Sequence, residues 1–223
     1  VEKLLGEHYV TALVAKQIKD YREAYNYTYS GMLGTLTYWY EIKKAPVDKS
    51  NGGIGIIPYI YEEAKQYYER LGANVLLLDA GDFSQGHTLV SYSKGLSAVE
   101  FMNAAGYDAV SLGNHELDYG YENMVHLVEA AKFAVLDANI LSKETGKPMF
   151  DSNELFEFDD MKVGVFGLDT PETQTKASPL NVKEITFLDN EELYACAKNQ
   201  VEALKAVGCD YIICIGHLGV DEE

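Results

Sequence analysis

From residue 71 onward, short apolar runs that each close on a polar residue alternate with amphipathic helical stretches, and that rhythm admits few folds. The runs are "NVLLLDAGD", "YDAVSLGNH", "FAVLDANI", "KVGVFGLD" and "DYIICIGH". Their hydrophobicity is continuous rather than alternating, as expected of strands covered on both faces. Helical periodicity falls near 94–105, 121–132 and 190–207. The stretch "MFDSNELFEFDDMKVGVFGLD" reads as a hairpin feeding another strand. The expected class is α/β, a layered sheet flanked by helices.

The first seventy residues follow another rhythm. Leu5, Tyr9, Leu13, Val14, Ile18 and Tyr21 recur at spacings of three and four, which predicts a helix. "YSGMLGTLTYWYEIKK" predicts a second helix, and "YIYEEAKQYYERLG" a third that closes at Gly72. Composition changes at the same place. Residues 1–70 hold nine Lys/Arg against nine Asp/Glu and eleven of the seventeen tyrosines. The remainder holds nine against twenty-six and carries the whole formal charge of −17. Two segments are therefore expected: a helical, tyrosine-rich region over 1–70 and an α/β region over 71–223. The first contains no motif with a chemical mechanism and is open to a role as a surface for a partner.

So acidic a region repels a phosphate backbone, which excludes clamping of a nucleic-acid duplex. No apolar run approaches 18 residues, so a soluble chain without a membrane span is expected, and "VEKLLGEHYV" lacks the layout of a signal peptide. Three cysteines at irregular spacing make neither a disulfide framework nor a zinc knuckle, and Cys214 in "YIICIG" is expected in the core.

The polar residues at the strand ends carry the chemistry. Asp82, Asn114 and His217 each follow an apolar run, and the crevice at the carboxyl ends of strands is where ligands bind in open α/β sheets. A carboxylate, an amide oxygen and an imidazole converging there suit a hard or borderline divalent metal ion. Asp82 has two oxygens and is able to bridge two ions. His115 is left for acid–base work, with Asp118 three residues on to orient its ring. Gly81, Gly86, Gly113 and Gly216 would let the backbone turn beside these ligands. The alternative, that Asp82, Asn114 and His115 form turns or caps, remains open, as do His87 and His126 as plain surface histidines.

The blocks "LLLDAGDFSQGHTL", "GYDAVSLGNHELDYG", "FAVLDANI" and "IGHLGVD", in this order, resemble the calcineurin-like metallophosphoesterases, nearest to the 5'-nucleotidase and 2',3'-cyclic-nucleotide phosphodiesterase branch. The resemblance covers about residues 71–223. It implies that Asp82 bridges two divalent metals such as Mn²⁺ or Zn²⁺, that Asn114 binds the second metal and a substrate phosphate oxygen, and that His217 is a further metal ligand. It assigns His115, paired with Asp118, to the transition state or the leaving group. The implied reaction is in-line attack on a nucleotide phosphate by hydroxide activated at the dinuclear centre. The family's first and last ligand blocks, Asp-x-His and Gly-His-x-His, do not occur in these 223 residues. The fold is therefore expected to be incomplete, and a catalytically incomplete fragment, remnant or fusion holding at most one metal stands as the alternative. His8 is a poor substitute for the first block, because it sits in a helical pattern with no strand before it. The first seventy residues are faintly similar to helical parts of phage and mobile-element proteins. The nucleotidase resemblance also implies an extracytoplasmic or secreted location.

Overall fold

The structure, a computed structural model, describes residues 57–219 except His87 and Asp160. The chain divides into two compact units, Val1–Val75 and Leu76–Glu223.

In the first unit, helix α1 (Ile57–Glu69) is the predicted third helix. It ends as the sequence anticipates. Gly72 adopts a left-handed φ of 77°, its N–H bonds to the Glu69 carbonyl, and that of Ala73 bonds to Tyr68. The two earlier predicted helices and His8 lie outside the described residues.

The second unit is a sandwich of two sheets with helices outside. One sheet is parallel, with β1 (Leu78–Asp79), β2 (Ala109–Ser111) and β3 (Ala134–Leu136) in that order. The crossovers are α2 (Thr88–Tyr92) with α3 (Leu96–Ala105), and α4 (Tyr121–Ala130). The second sheet orders β5 (Asn153–Glu157), β6 (Lys162–Asp169) and β8 (Tyr211–His217), with β6 antiparallel to β5 and parallel to β8. Its crossover carries the short α5 (Thr173–Lys176), β7 (Ile185–Phe187) and the long α6 (Asn190–Ala206). A small antiparallel pair joins β7 to β4 (Ile140–Ser142). The strands and helices expected from the sequence are present, whereas β4, α5 and β7 are too short to show a period.

Ala109, Leu136, Val163, Val165 and Ile215 are buried between the two sheets, with Leu78, Phe156 and Ile213 packed against them. On the outer side of the second sheet, Phe166 and Leu168 pack with Leu193 and Leu204 of α6. Helices α3 and α4 bury Val99, Met102, Met124 and Leu127 and are tied together by Asn103, which donates to the Ala130 carbonyl and accepts from the Lys132 N–H.

Burial on both faces holds for β2 and nearly all of β6 but not for β8, where Ile215 is the one fully buried residue. Cys214 is exposed, which corrects its expected place in the core. Side chains alternate along the strand. Tyr211, Ile213 and Ile215 face the inter-sheet core, and α6 covers Ile212 but not Cys214, one position pair further along.

At the carboxyl end the sheets are pinched together. A Cβ on Gly167 of β6 would fall within bonding range of the Leu136 carbonyl at the end of β3, 1.9 Å from its oxygen. Packed sheets normally stand about 10 Å apart. Here the bare backbone of Gly167 lies directly against β3. Asn139 seals the junction by donating to the Asp169 carbonyl at 2.8 Å and accepting the Asp169 N–H at 2.9 Å.

Candidate functional site

Asp82 lies three residues beyond β1, Asn114 three beyond β2, and His217 is the last residue of β8. The pinch brings their loops to one end of the sandwich. Asp82 has a left-handed backbone, φ 66°, unusual for a residue with a side chain and common at functional sites. Gly81 before it has φ 94° and packs so closely on the Leu112–Gly113 backbone that a Cβ would be 2.5 Å from the Gly113 nitrogen. A Cβ on Gly113 would in turn meet Asp82 Oδ1 at 2.5 Å. Two glycines thus let the two loops interlock, as expected for this pair. Gly216 makes no turn: it lies within β8 with ordinary contacts.

The Asp82 carboxylate is held from both sides. The His115 N–H donates to Oδ1 at 3.1 Å, and His217 Nε2 stands 3.2 Å from Oδ2. His217 Nδ1 lies 3.1 Å from the Ala80 carbonyl; because a carbonyl only accepts, Nδ1 is the protonated nitrogen and Nε2 faces the carboxylate. Partial burial alone would raise the Asp82 carboxyl, but the bonds from His217 and His115 outweigh it and hold it below its usual value. The same bond to Asp82 raises the His217 imidazole against the effect of burial.

His115 opens its side chain to the same crevice, with Nδ1 2.6 Å from Asp118 Oδ2. The Asp118 bond raises the His115 ring, with partial burial acting the other way. The expected orienting pair is thus present in the geometry that the three-residue spacing suggested. Asn114 is half-buried at the start of the 3-10 turn Asn114–Leu117.

The sequence reading missed what holds these groups in place. Glu116 is fully buried and accepts three main-chain N–H groups, from Asp82 at 2.9 Å, Ser84 at 2.9 Å and Gly113 at 2.7 Å. Ser84, also buried, returns a bond from Oγ to the His115 carbonyl at 2.8 Å. One carboxylate therefore fastens the Asp82 loop to the Asn114–His115 loop. Burial lifts the Glu116 carboxyl to about 7 even against three N–H donors. Its signal was available: a charged residue between His115 and Leu117 that a solvated turn does not require. His126 is exposed on α4, as a plain surface histidine would be, and His87 lies outside the described residues.

Beneath the crevice, at the pinch, lie two more fully buried acids, Asp137 and Asp169. Asp137 Oδ1 accepts from the Asn139 and Ile140 N–H groups, while Oδ2 has no partner. Asp169 accepts from the Thr170 N–H and the Thr173 hydroxyl. Burial raises Asp137 to about 8, and burial together with the nearby Asp137 raises Asp169. A carboxyl raised on folding is protonated more readily in the folded chain than in the unfolded one. Its contribution to stability is therefore complete near pH 4 and declines as pH rises toward 8. Asp137→Asn keeps an acceptor for both N–H groups and cannot ionise. It is expected to leave stability near pH 4 unchanged and to raise it at pH 8 by on the order of 2 kcal/mol. Urea melts at the two pH values test this; an equal shift at both would contradict it.

Among the described residues no three His, Cys, Asp or Glu side chains gather into a metal cage. Asp82 Oδ2 and His217 Nε2 nevertheless stand 3.2 Å apart, where a bound cation would take the place of the proton between them. Asn114 follows Gly113 on the loop that adjoins Asp82, and the pair fits a single cation bound at Oδ2 and Nε2. It does not fit a full two-metal set drawn from these residues.

Residues 2–74 match a family profile described as SPbeta prophage protein YorH. The rest resembles enzymes. Human 5'-nucleotidase is 35% identical over 163 residues, which is 71% of this chain and 28% of that protein. The snake venom 5'-nucleotidase of Gloydius brevicauda is 37% identical over 157 residues, 68% of this chain and 26% of its own. Among solved structures, a calcineurin-like phosphoesterase from Bacillus subtilis superposes with a TM-score of 0.66 at 25% identity, covering 77% of this chain and 55% of that one. The chain spans less than a third of the length of the curated relatives it matches.

Proposed function

We propose that residues from about 71 onward, a unit of the 5'-nucleotidase-like metallophosphoesterases, work as a metal-dependent hydrolase of nucleotide phosphoesters. The observation that carries the reading is the placement of the His115–Asp118 pair, 2.6 Å apart, beside Asp82 and His217 at the strand ends. In this reading Asp82 and His217 hold a divalent cation such as Mn²⁺ or Zn²⁺. Asn114 supplies an amide to the cation and to a phosphate oxygen. When bound, the cation supplies Lewis-acid polarisation of the phosphoryl group.

The chain's own residues do the remainder. The Asp118 carboxylate accepts from His115 Nδ1–H, which turns Nε2 outward and raises the basicity of the ring. Protonated at Nε2, His115 donates to the developing charge on phosphate or to the departing oxygen. Glu116 and Ser84 keep the His115 main chain and the Asp82 carboxylate in register, so the reacting groups need no reordering.

Turnover of a nucleoside monophosphate or an aryl phosphate by the Mn²⁺-loaded chain is the test. His115→Ala is expected to lower it about a hundredfold; undiminished activity in that variant would sink the assignment. A second reading, a unit that keeps the fold and holds one cation without turnover, follows from there being no cluster of three carboxylate, imidazole or thiol groups among the described residues. Both readings hold a cation at Asp82 and His217, so turnover of the aryl phosphate by the Mn²⁺-loaded chain separates them: turnover supports the hydrolase, and metal retained without turnover the binding unit.

The 1–70 region, with the prophage-protein similarity over most of its length, is read as a separate helical module available to a partner. Similarity to a 5'-nucleotidase of snake venom supports an extracytoplasmic location. No helix among the described residues is long and apolar enough to cross a membrane.

A further inference from the structure

The His115–Asp118 pair is open to solvent, its side chains 39% and 33% exposed. Water competes for both partners, so a 2.6 Å contact between them needs a main chain that cannot wander. Part of that restraint is local: the Asp118 N–H bonds to the His115 carbonyl and the Gly120 N–H to the Leu117 carbonyl, both at 3.0 Å. The rest comes from sixty residues away. Asn181 Nδ2 donates to the Leu117 carbonyl at 2.8 Å and to the Asp118 carbonyl at 3.2 Å. Its own main chain is fixed by an N–H bond to the Ser178 carbonyl at 2.8 Å. Gly120, with φ 93°, leaves the space beside its amide open, and a Cβ there would come within 3.6 Å of Asn181 Oδ1.

We propose that Asn181 is a positioning residue for the His115–Asp118 pair: its amide holds the peptide that carries Asp118 and so keeps the carboxylate on His115 Nδ1. The segment between α5 and β7 thereby sets the geometry of a group on the far side of the crevice. The inference rests on the reading of His115 as the acid–base group. A short amide is well suited to the task, because it offers two N–H donors from one rigid plane to two successive carbonyls, which a carboxylate is unable to do.

Asn103 provides a matched control. Its side-chain amide ties helix α3 to the carboxyl end of helix α4, away from the pair. The experiment compares Asn181→Ala, Asn103→Ala and the unaltered full chain. The first readout is the His115 tautomer from imidazole ¹⁵N shifts, taken at the alkaline plateau where they no longer change with pH. The second is turnover of an aryl phosphate with Mn²⁺. Asn181→Ala is expected to lower the Nδ1–H fraction at least about twofold and kcat about tenfold, with KM nearly unchanged. Asn103→Ala should lower the melting temperature while leaving both readouts alone. An Asn181→Ala chain that melts lower but keeps the original tautomer ratio overturns the proposal. If that variant does not fold, Asn181→Ser, which retains one donor, is read in the same way. Absence of turnover in the unaltered chain would count against the hydrolase reading, while the tautomer ratio still decides the role of Asn181.

Discussion

Glu116→Ala is expected to destabilise the second unit by about 4 kcal/mol. The side chain is fully buried, and its loss strands three main-chain N–H groups, those of Asp82, Ser84 and Gly113, in a space that water does not fill by itself. Each stranded donor costs about 1–3 kcal/mol, offset in part where water enters. Glu116→Gln is the informative companion. Its single carbonyl oxygen is able to take the two donors now on Oε2, but the amide NH₂ then faces the Ser84 N–H, donor against donor. An intermediate loss is expected, about half that of alanine. Chemical denaturation of the three chains measures this. Equal stability of Glu116→Ala and the unaltered chain would show that the carboxylate does not fasten the loops.

Gly167→Ala is the second large effect, again about 4 kcal/mol. Ordinary overpacking in a core costs about 1–3 kcal/mol, because side chains shift to make room. At Gly167 the struck atoms are the carbonyl carbon and oxygen of Leu136, so the two sheets themselves must part. The damage should reach the crevice. Parting the sheets weakens the Asn139–Asp169 bonds and withdraws His217 from Asp82. The expected result is a chain that melts lower and retains less Mn²⁺ after desalting. Gly146→Ala is a fitting control, since nothing lies near its missing Cβ, although its left-handed backbone costs something of its own.

Much of the architecture could be read from the sequence because it follows from periodicity. The long α6 and the apolar β6 fell where their patterns put them. The candidate ligands were equally visible, since Asp82, Asn114 and His217 are polar residues placed where an apolar run ends. What escaped was of two kinds. Short elements such as α5 and β7 hold too few residues to show a period. The groups that hold the site, Glu116, Ser84, Asn139 and Asn181, act through main-chain bonds between segments distant in sequence, and no local spacing encodes such a partner. Cys214 failed for a related reason: its apolar neighbours signalled a buried strand, but it is not among the residues that pack against α6.

The crevice bears on stability as well, because its two candidate ion donors belong to different sheets. Asp82 follows a strand of the parallel sheet and His217 ends a strand of the other. An ion gripped by both binds only while the sheets are docked, so its binding free energy is added to the docking equilibrium by linkage. The cation would then serve as a removable rivet. Chelation would loosen the sandwich at its pinched end first, where hydrogen exchange in β8 should quicken before that in β2.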